Sequence, residues 1–274
     1  MPFVAVRDIN LYYELAGRGP RLLYISGTGG DLRRKPNMFD SPLAEHFTIL
    51  SYDQRGLGQT DRPETPYTMA DYAEDANALL DAMGWAHCSV MGVSFGGMVA
   101  QEFAVRYPER IEKLVLACTS SGGAGGASYP LHELLDLDLR AKTMHMMGVG
   151  DLRQDTAWQA ANPHAVQELL EMAEASAAVG ADEPNRELGA RLQLLARKEH
   201  DTFDRLPTLT MPVFICGGRF DGTAPVDNLY ALQDQIPHAQ LALFDGGHGF
   251  TQQDPAAYMQ ISNFLRTTSG AVGR

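Results

Sequence analysis

The stretch Val90-Met91-Gly92-Val93-Ser94-Phe95-Gly96-Gly97 constrains this chain more than any other. An apolar run from His87 to Val93 reads as a buried strand, and Met98 to Tyr107 reads as a helix with Val99 and Phe103 four apart on one face. A strand that turns sharply into a helix forces the turn residue into strained dihedrals, and neighbours without a Cβ relieve the crowding. The serine hydroxyl then projects at the top of the sheet, with the N–H of the next residue pointing at the same spot. The same pattern also fits a turn serine that caps the following helix, so the surrounding chain has to decide.

Around this turn, strand and helix alternate. Residues 3–7 and 10–16 read as antiparallel strands about a turn at Asp8, and 21–26, 48–52, 111–117, 213–216 and 240–244 as further strands. Thr68 caps a helix to about Met83, with Tyr72, Ala76, Leu79, Leu80 and Met83 on one stripe and Gly84 at its end. A later helix runs from Val226 to about Gln235, and the last one ends near Thr267. Strands separated by helices of this length imply parallel βαβ crossovers and a doubly wound sheet.

The texture changes after Thr119. Ser120 to Ser128 is a Gly/Ser/Ala stretch without periodicity, expected to be a linker or a mobile loop. From Leu131 to about Leu206 the chain reads as helices with no convincing strand. The expected organisation is therefore a core of residues 1–119 and 208–274, interrupted by a helical cap of 120–207. The methionines and leucines of that insertion read as helical core. Some are candidates to line a pocket beneath a lid, with Met144, Met147 and Trp158 singled out for contact with substrate.

Composition narrows the partners. The 274-residue chain is 45% hydrophobic and 20% charged, with a formal net charge of −12. That sign argues against nucleic acid or an anionic membrane surface and is compatible with a small-molecule substrate. No apolar run approaches the ~20 residues of a membrane span, and no secretory signal is visible at the N-terminus. Three cysteines, Cys88, Cys118 and Cys216, sit in or beside strands. An odd number at buried positions fits reduced thiols in a cytoplasm, and their spacing suggests no zinc site. No metal or cofactor is expected, and the sequence assigns no oligomeric state.

Loops at strand C-termini carry Thr28, Ser94, Asp221 and His248, and ligands of open parallel sheets bind at that end. A serine hydroxyl needs a base within hydrogen-bond reach, and His248 can accept and return its proton. A carboxylate must hold the imidazole tautomer, for which Asp221 is the candidate. Asp245 is nearer to His248 in sequence, but belongs to the same loop and is expected to face away. Residues 118–128 offer no acid after the sixth strand. One oxyanion donor is the N–H of Phe95, the residue after the serine. The glycines at 27, 29 and 30 also suggest a phosphate cradle, but no Walker lysine follows them.

The motifs GVSFGG, GGRFDG and GGHGF, in the order serine, acid, histidine, resemble those of the α/β-hydrolase superfamily, in its esterase, lactonase and C–C-hydrolase branch. The resemblance runs from Phe3 to about Arg266. It implies an α/β fold with a mostly parallel eight-stranded sheet, flanking helices and an inserted helical cap. It also implies a Ser94-His248-Asp221 triad and a second oxyanion N–H at Thr28. The chain departs from the family pattern at Ser26-Gly27, where His-Gly is usual. The implied activity is hydrolysis of an ester or lactone of a small, largely apolar molecule. A C–C hydrolase or cofactor-free perhydrolase with the same triad is the enzymatic alternative, and a small-molecule receptor the non-enzymatic one. Haloalkane dehalogenases and epoxide hydrolases carry Asp where this chain has Ser94.

Overall fold

The computed structural model describes residues 2–267. Its sheet has eight strands: β1 (Phe3–Val6), β2 (Ile9–Gly17), β3 (Arg21–Ile25), β4 (Thr48–Tyr52), β5 (Cys88–Val93), β6 (Ile111–Ala117), β7 (Val213–Gly218) and β8 (Gln240–Phe244). They lie in the order β1-β2-β4-β3-β5-β6-β7-β8. β1 pairs antiparallel with β2, and β2 antiparallel with β4; every pairing from β4 to β8 is parallel. This is the α/β-hydrolase arrangement that the strand pattern and motifs led us to expect.

Neighbouring residues within a strand point to opposite faces, so each parallel strand feeds two cores. Leu23, Leu50, Val90 and Leu114 meet α1 (Met69–Ala82), α2 (Phe95–Arg106) and α7 (Val226–Gln235) through Leu79, Phe103 and Leu232. Leu22, Ile49, Met91 and Val115 pack on the other face with Leu43, Phe47 and, from α8 (Ala256–Arg266), Ile261 and Phe264. Both faces are covered, which is why these strands read as continuous apolar runs. α1 starts at Thr68, whose hydroxyl accepts from the Asp71 amide while the Asp71 carboxylate accepts from the Thr68 amide.

Between β6 and β7 the chain forms α3 (Leu139–Gly150), α4 (Thr156–Ala161), α5 (Pro163–Ala178) and α6 (Arg186–Lys198). The entry to this segment is not the loose tether its composition suggested. Ser120 and Ser121 are fully buried, and Gly122 pairs with Asp201 in an isolated antiparallel bridge. Buried Gln101 donates to the Ser120 carbonyl at 3.0 Å and accepts from the Thr202 hydroxyl at 2.8 Å. The glycines permit close packing here: a Cβ on Gly122 would lie 1.9 Å from the His200 carbonyl oxygen. The two ends of the segment are thereby fastened to each other and to α2.

Candidate active site

Ser94 is the pivot between β5 and α2. Its backbone lies at φ 56°, ψ −118°, a conformation that costs an L-residue of order 1–3 kcal/mol and persists only where the surroundings enforce it. They do so through the flanking glycines. A Cβ on Gly92 would lie 2.2 Å from the Gly96 carbonyl oxygen, and one on Gly96 would lie 2.1 Å from that of Ile25. Ten consecutive residues, Phe95 to Ala104, are buried, so the turn rests on a fixed base. The helix begins at Phe95, three residues before its apolar periodicity does, because Gly96 and Gly97 carry no hydrophobic signal.

His248 follows β8 and bridges the other two residues. Its Nε2 lies 2.9 Å from Ser94 Oγ and its Nδ1 2.8 Å from Asp221 Oδ2. The carboxylate can only accept, so Nδ1 carries the proton and Nε2 presents a lone pair to the serine hydroxyl. Asp221, 2% exposed, also accepts from the amides of Thr223 and Ala224 at 2.7 and 2.9 Å. Asp245 points away, as expected, and pairs with Arg153 at 2.9 Å.

Positioning groups invisible in the sequence come from the end of α3. The Gly150 carbonyl accepts from the His248 amide at 2.6 Å, the Val149 carbonyl accepts from the Gly222 amide at 3.0 Å, and the Leu152 amide donates to the Phe220 carbonyl at 2.9 Å. The inserted segment thus clamps both the acid loop and the histidine loop by backbone contacts, which no side-chain pattern announces.

Thr28 sits on the loop after β3, close enough that a Cβ on neighbouring Gly27 would be 4.0 Å from Ser94 Oγ. Neither the Thr28 amide nor the Phe95 amide has a hydrogen-bond partner among the described residues. For Phe95 this follows from its place at the start of α2, where the first N–H groups have no acceptor in the helix. In place of the usual histidine, Ser26 is braced by Gln54, whose Nε2 donates to the Ser26 carbonyl and hydroxyl at 2.8 and 3.2 Å. The Gly29 amide donates to Gln193 of α6 at 2.9 Å, and its carbonyl accepts from Arg34 at 2.8 Å.

A cleft of about 670 Å³ adjoins His248, within the range of small-molecule sites. Met147 lines it, as proposed from sequence. Met144 and Trp158 do not: they pack with Val166 and Leu170 between α3, α4 and α5. The helical phase places Met146, Leu139 and Leu169 on the cleft instead. Arg34, Lys142 and Arg186 also line it, a cationic rim that a net charge of −12 conceals. Burial lowers the Arg34 guanidinium, and Arg186 adds to the effect against an opposing contribution from Asp31.

Cys118 Sγ, Asp221 and His248 bring ligand-type atoms within 4.8 Å of one another. The Asp221 and His248 atoms are spent on each other, on Ser94 and on backbone amides. Burial drives the Cys118 thiol well above its ordinary value, with Asp221 and Cys216 adding to it, so it is an uncharged thiol and a poor metal ligand. Cys88, Cys118 and Cys216 are all free and buried. No helix among the described residues is long and apolar enough to cross a membrane.

The family model of the α/β-hydrolase fold matches residues 20–252. The chain belongs to that family. It is 30% identical to an uncharacterised protein of Mycobacterium tuberculosis over 99% of this chain and 82% of that one. It is 24% identical to 3-oxoadipate enol-lactonase 2 of Acinetobacter baylyi over 93% of this chain and 92% of that one. The crystal structure of the enol-lactonase from Burkholderia xenovorans LB400 superposes with a TM-score of 0.78 at 22% identity, covering 97% of this chain and all of the other. The chain is a hydrolase by family, with a lactonase among its relatives.

Proposed function

We propose that this chain hydrolyses a carboxylic ester or lactone through a Ser94 acyl-enzyme. The observation that carries the reading is His248, within hydrogen-bond distance of both Ser94 and Asp221. Ser94 Oγ attacks the carbonyl carbon as His248 Nε2 takes its proton, and Asp221 stabilises the resulting imidazolium. The free amides of Phe95 and Thr28 receive the developing oxyanion; one such donor is worth about 10²–10³ in rate. His248 returns the proton to the leaving oxygen, then deprotonates the water that releases the acid. In a lactone both products remain one molecule.

Residues 120–207 act as a lid in this reading, excluding water and setting acyl preference with Met146, Met147, Leu139 and Leu169. The rim of Arg34, Lys142 and Arg186 suits a substrate whose apolar body ends in a carboxylate. Hydrolysis of p-nitrophenyl esters of graded acyl length, with p-nitrophenyl hemisuccinate beside the neutral butyrate, tests this. Met146→Trp should alter kcat/KM unequally across the lengths, whereas Met144→Trp should shift all of them alike. Equal effects from the two variants would assign the lid to scaffold.

A further inference from the structure

An arginine removed from water needs its charge and its five N–H donors answered inside the protein. Arg55, 3% exposed, has both: Nε and Nη2 lie 2.8 and 2.7 Å from the Asp75 carboxylate, and Nη1 and Nη2 lie 3.0 and 2.7 Å from that of Asp8. Arg197, near the end of α6 and 6% exposed, does not. Its Nη1 donates to the Tyr129 carbonyl at 2.7 Å, while Nε and Nη2 have no partner. No carboxylate among the described residues pairs with it. Burial lowers its guanidinium to about 10, which still leaves it charged at neutral pH. The acids whose charges reach His200, on the same cavity, are engaged elsewhere: Glu102 with Arg106 and Arg205, and Asp201 with the Phe203 amide.

The two vacant donors are a matched pair. Nε and Nη2 share one edge of the guanidinium, the edge that a carboxylate meets with two parallel hydrogen bonds. Arg197 lines a cavity of about 110 Å³ with Ser120, Ser128, His132, Lys198 and His200. That is several times the ~30 Å³ share of one water and enough for a short carboxylate. His132 and His200, two of the residues that line the cavity, each also keep a buried Nδ1 without a partner. Ser120 adjoins Thr119, whose hydroxyl donates to the Ser94 carbonyl at 2.8 Å.

We propose that the Arg197 cavity binds a small organic carboxylate, gripped side-on by Nε and Nη2, at a site separate from the Ser94–His248 pair. The ligand answers the buried charge that the fold leaves open. Its carboxylate comes either from the substrate or product handled at Ser94 or from a free short-chain acid, and the site itself requires no particular reaction at Ser94.

The test is sodium acetate titrated into the whole protein at constant ionic strength, read by calorimetry and by thermal unfolding. Wild type should bind one acetate per chain at this site, and Tm should rise by about 3 °C at tenfold over Kd. Arg197→Lys keeps the charge but not the fork, and should lose most of the acetate response. Arg197→Met should lose all of it, and in acetate-free buffer should be at least as stable as wild type, since it removes an unanswered buried charge. Acetate competing with ester in wild type but not in Arg197→Lys assigns the carboxylate to the substrate or product. A Tm rise with unchanged turnover assigns a free acid. No saturable binding to wild type, or a response retained in full by both variants, overturns the proposal; the latter would put acetate elsewhere, such as at the Phe95 and Thr28 amides.

Discussion

His248 Nδ1 stands 2.8 Å from a carboxylate oxygen of Asp221, a residue 27 positions away in the chain. Asp245, three positions before the histidine, faces out to Arg153 with its side chain 73% exposed. Proximity in sequence is therefore no guide to which carboxylate steadies the imidazole. Asp221→Asn should leave the fold intact and lower kcat by about 10⁴, because the amide favours the wrong tautomer. Asp245→Asn should change kcat by less than about threefold, as a surface ion pair does little. Steady-state kinetics on one p-nitrophenyl ester, with circular dichroism as the folding control, reads both; the reverse order would make Asp245 the acid.

The loop that carries Thr28, proposed above to receive the oxyanion, depends on a contact from across the molecule. Gln193 accepts from the Gly29 amide, one residue beyond Thr28. Gln193→Met should let that loop drift and lower kcat by about 10–100-fold, less than the 10²–10³ of deleting a donor outright. KM should change little, since the loop serves the transition state more than the bound ester. A variant that raised KM with kcat intact would assign Gln193 to substrate binding.

The alternation of strands and helices, and the loops bearing Ser94, Asp221 and His248, were legible because each depends on local signals. Those signals are an apolar run, a glycine where backbones touch, and a cap such as Thr68. Asp221 as the carboxylate beside His248 was legible only by elimination and family likeness. What remained hidden came from contacts between distant segments. Gln54 bracing Ser26, Gln193 holding Gly29, and the carbonyls of Val149 and Gly150 on the acid and histidine loops leave no periodic trace. Met144 and Trp158 do not face the cleft: a methionine-rich helix does not disclose which face meets its neighbours, and the short α4 turns Trp158 onto α3 and α5. The glycine-rich entry at 120–128 looked loose because glycines also mark places where another backbone comes close.

His200 should make stability depend on pH. Burial pushes its imidazole from 6.5 down to about 4, against the raising influence of Glu102, the Ser120 carbonyl and Asp201, with Arg205 acting alongside burial. The folded state therefore favours the neutral ring. Its contribution is full above the unfolded value of 6.5 and is lost as pH falls from there towards 4, reaching about 3 kcal/mol. His200→Gln retains a donor for the Ser120 carbonyl and has no proton to gain. Urea unfolding between pH 7 and 4, without added carboxylates, should show wild type losing stability faster than the variant. Parallel curves would mean that His200 is not held neutral.

The most direct test of a Ser94 acyl-enzyme is intact-protein mass spectrometry after exposure to a fluorophosphonate. The account predicts a single adduct per chain, mapped to Ser94 and abolished in Ser94→Ala while that variant still folds. An adduct that persists in Ser94→Ala, or a wild-type protein that is never labelled yet still hydrolyses esters, would contradict it.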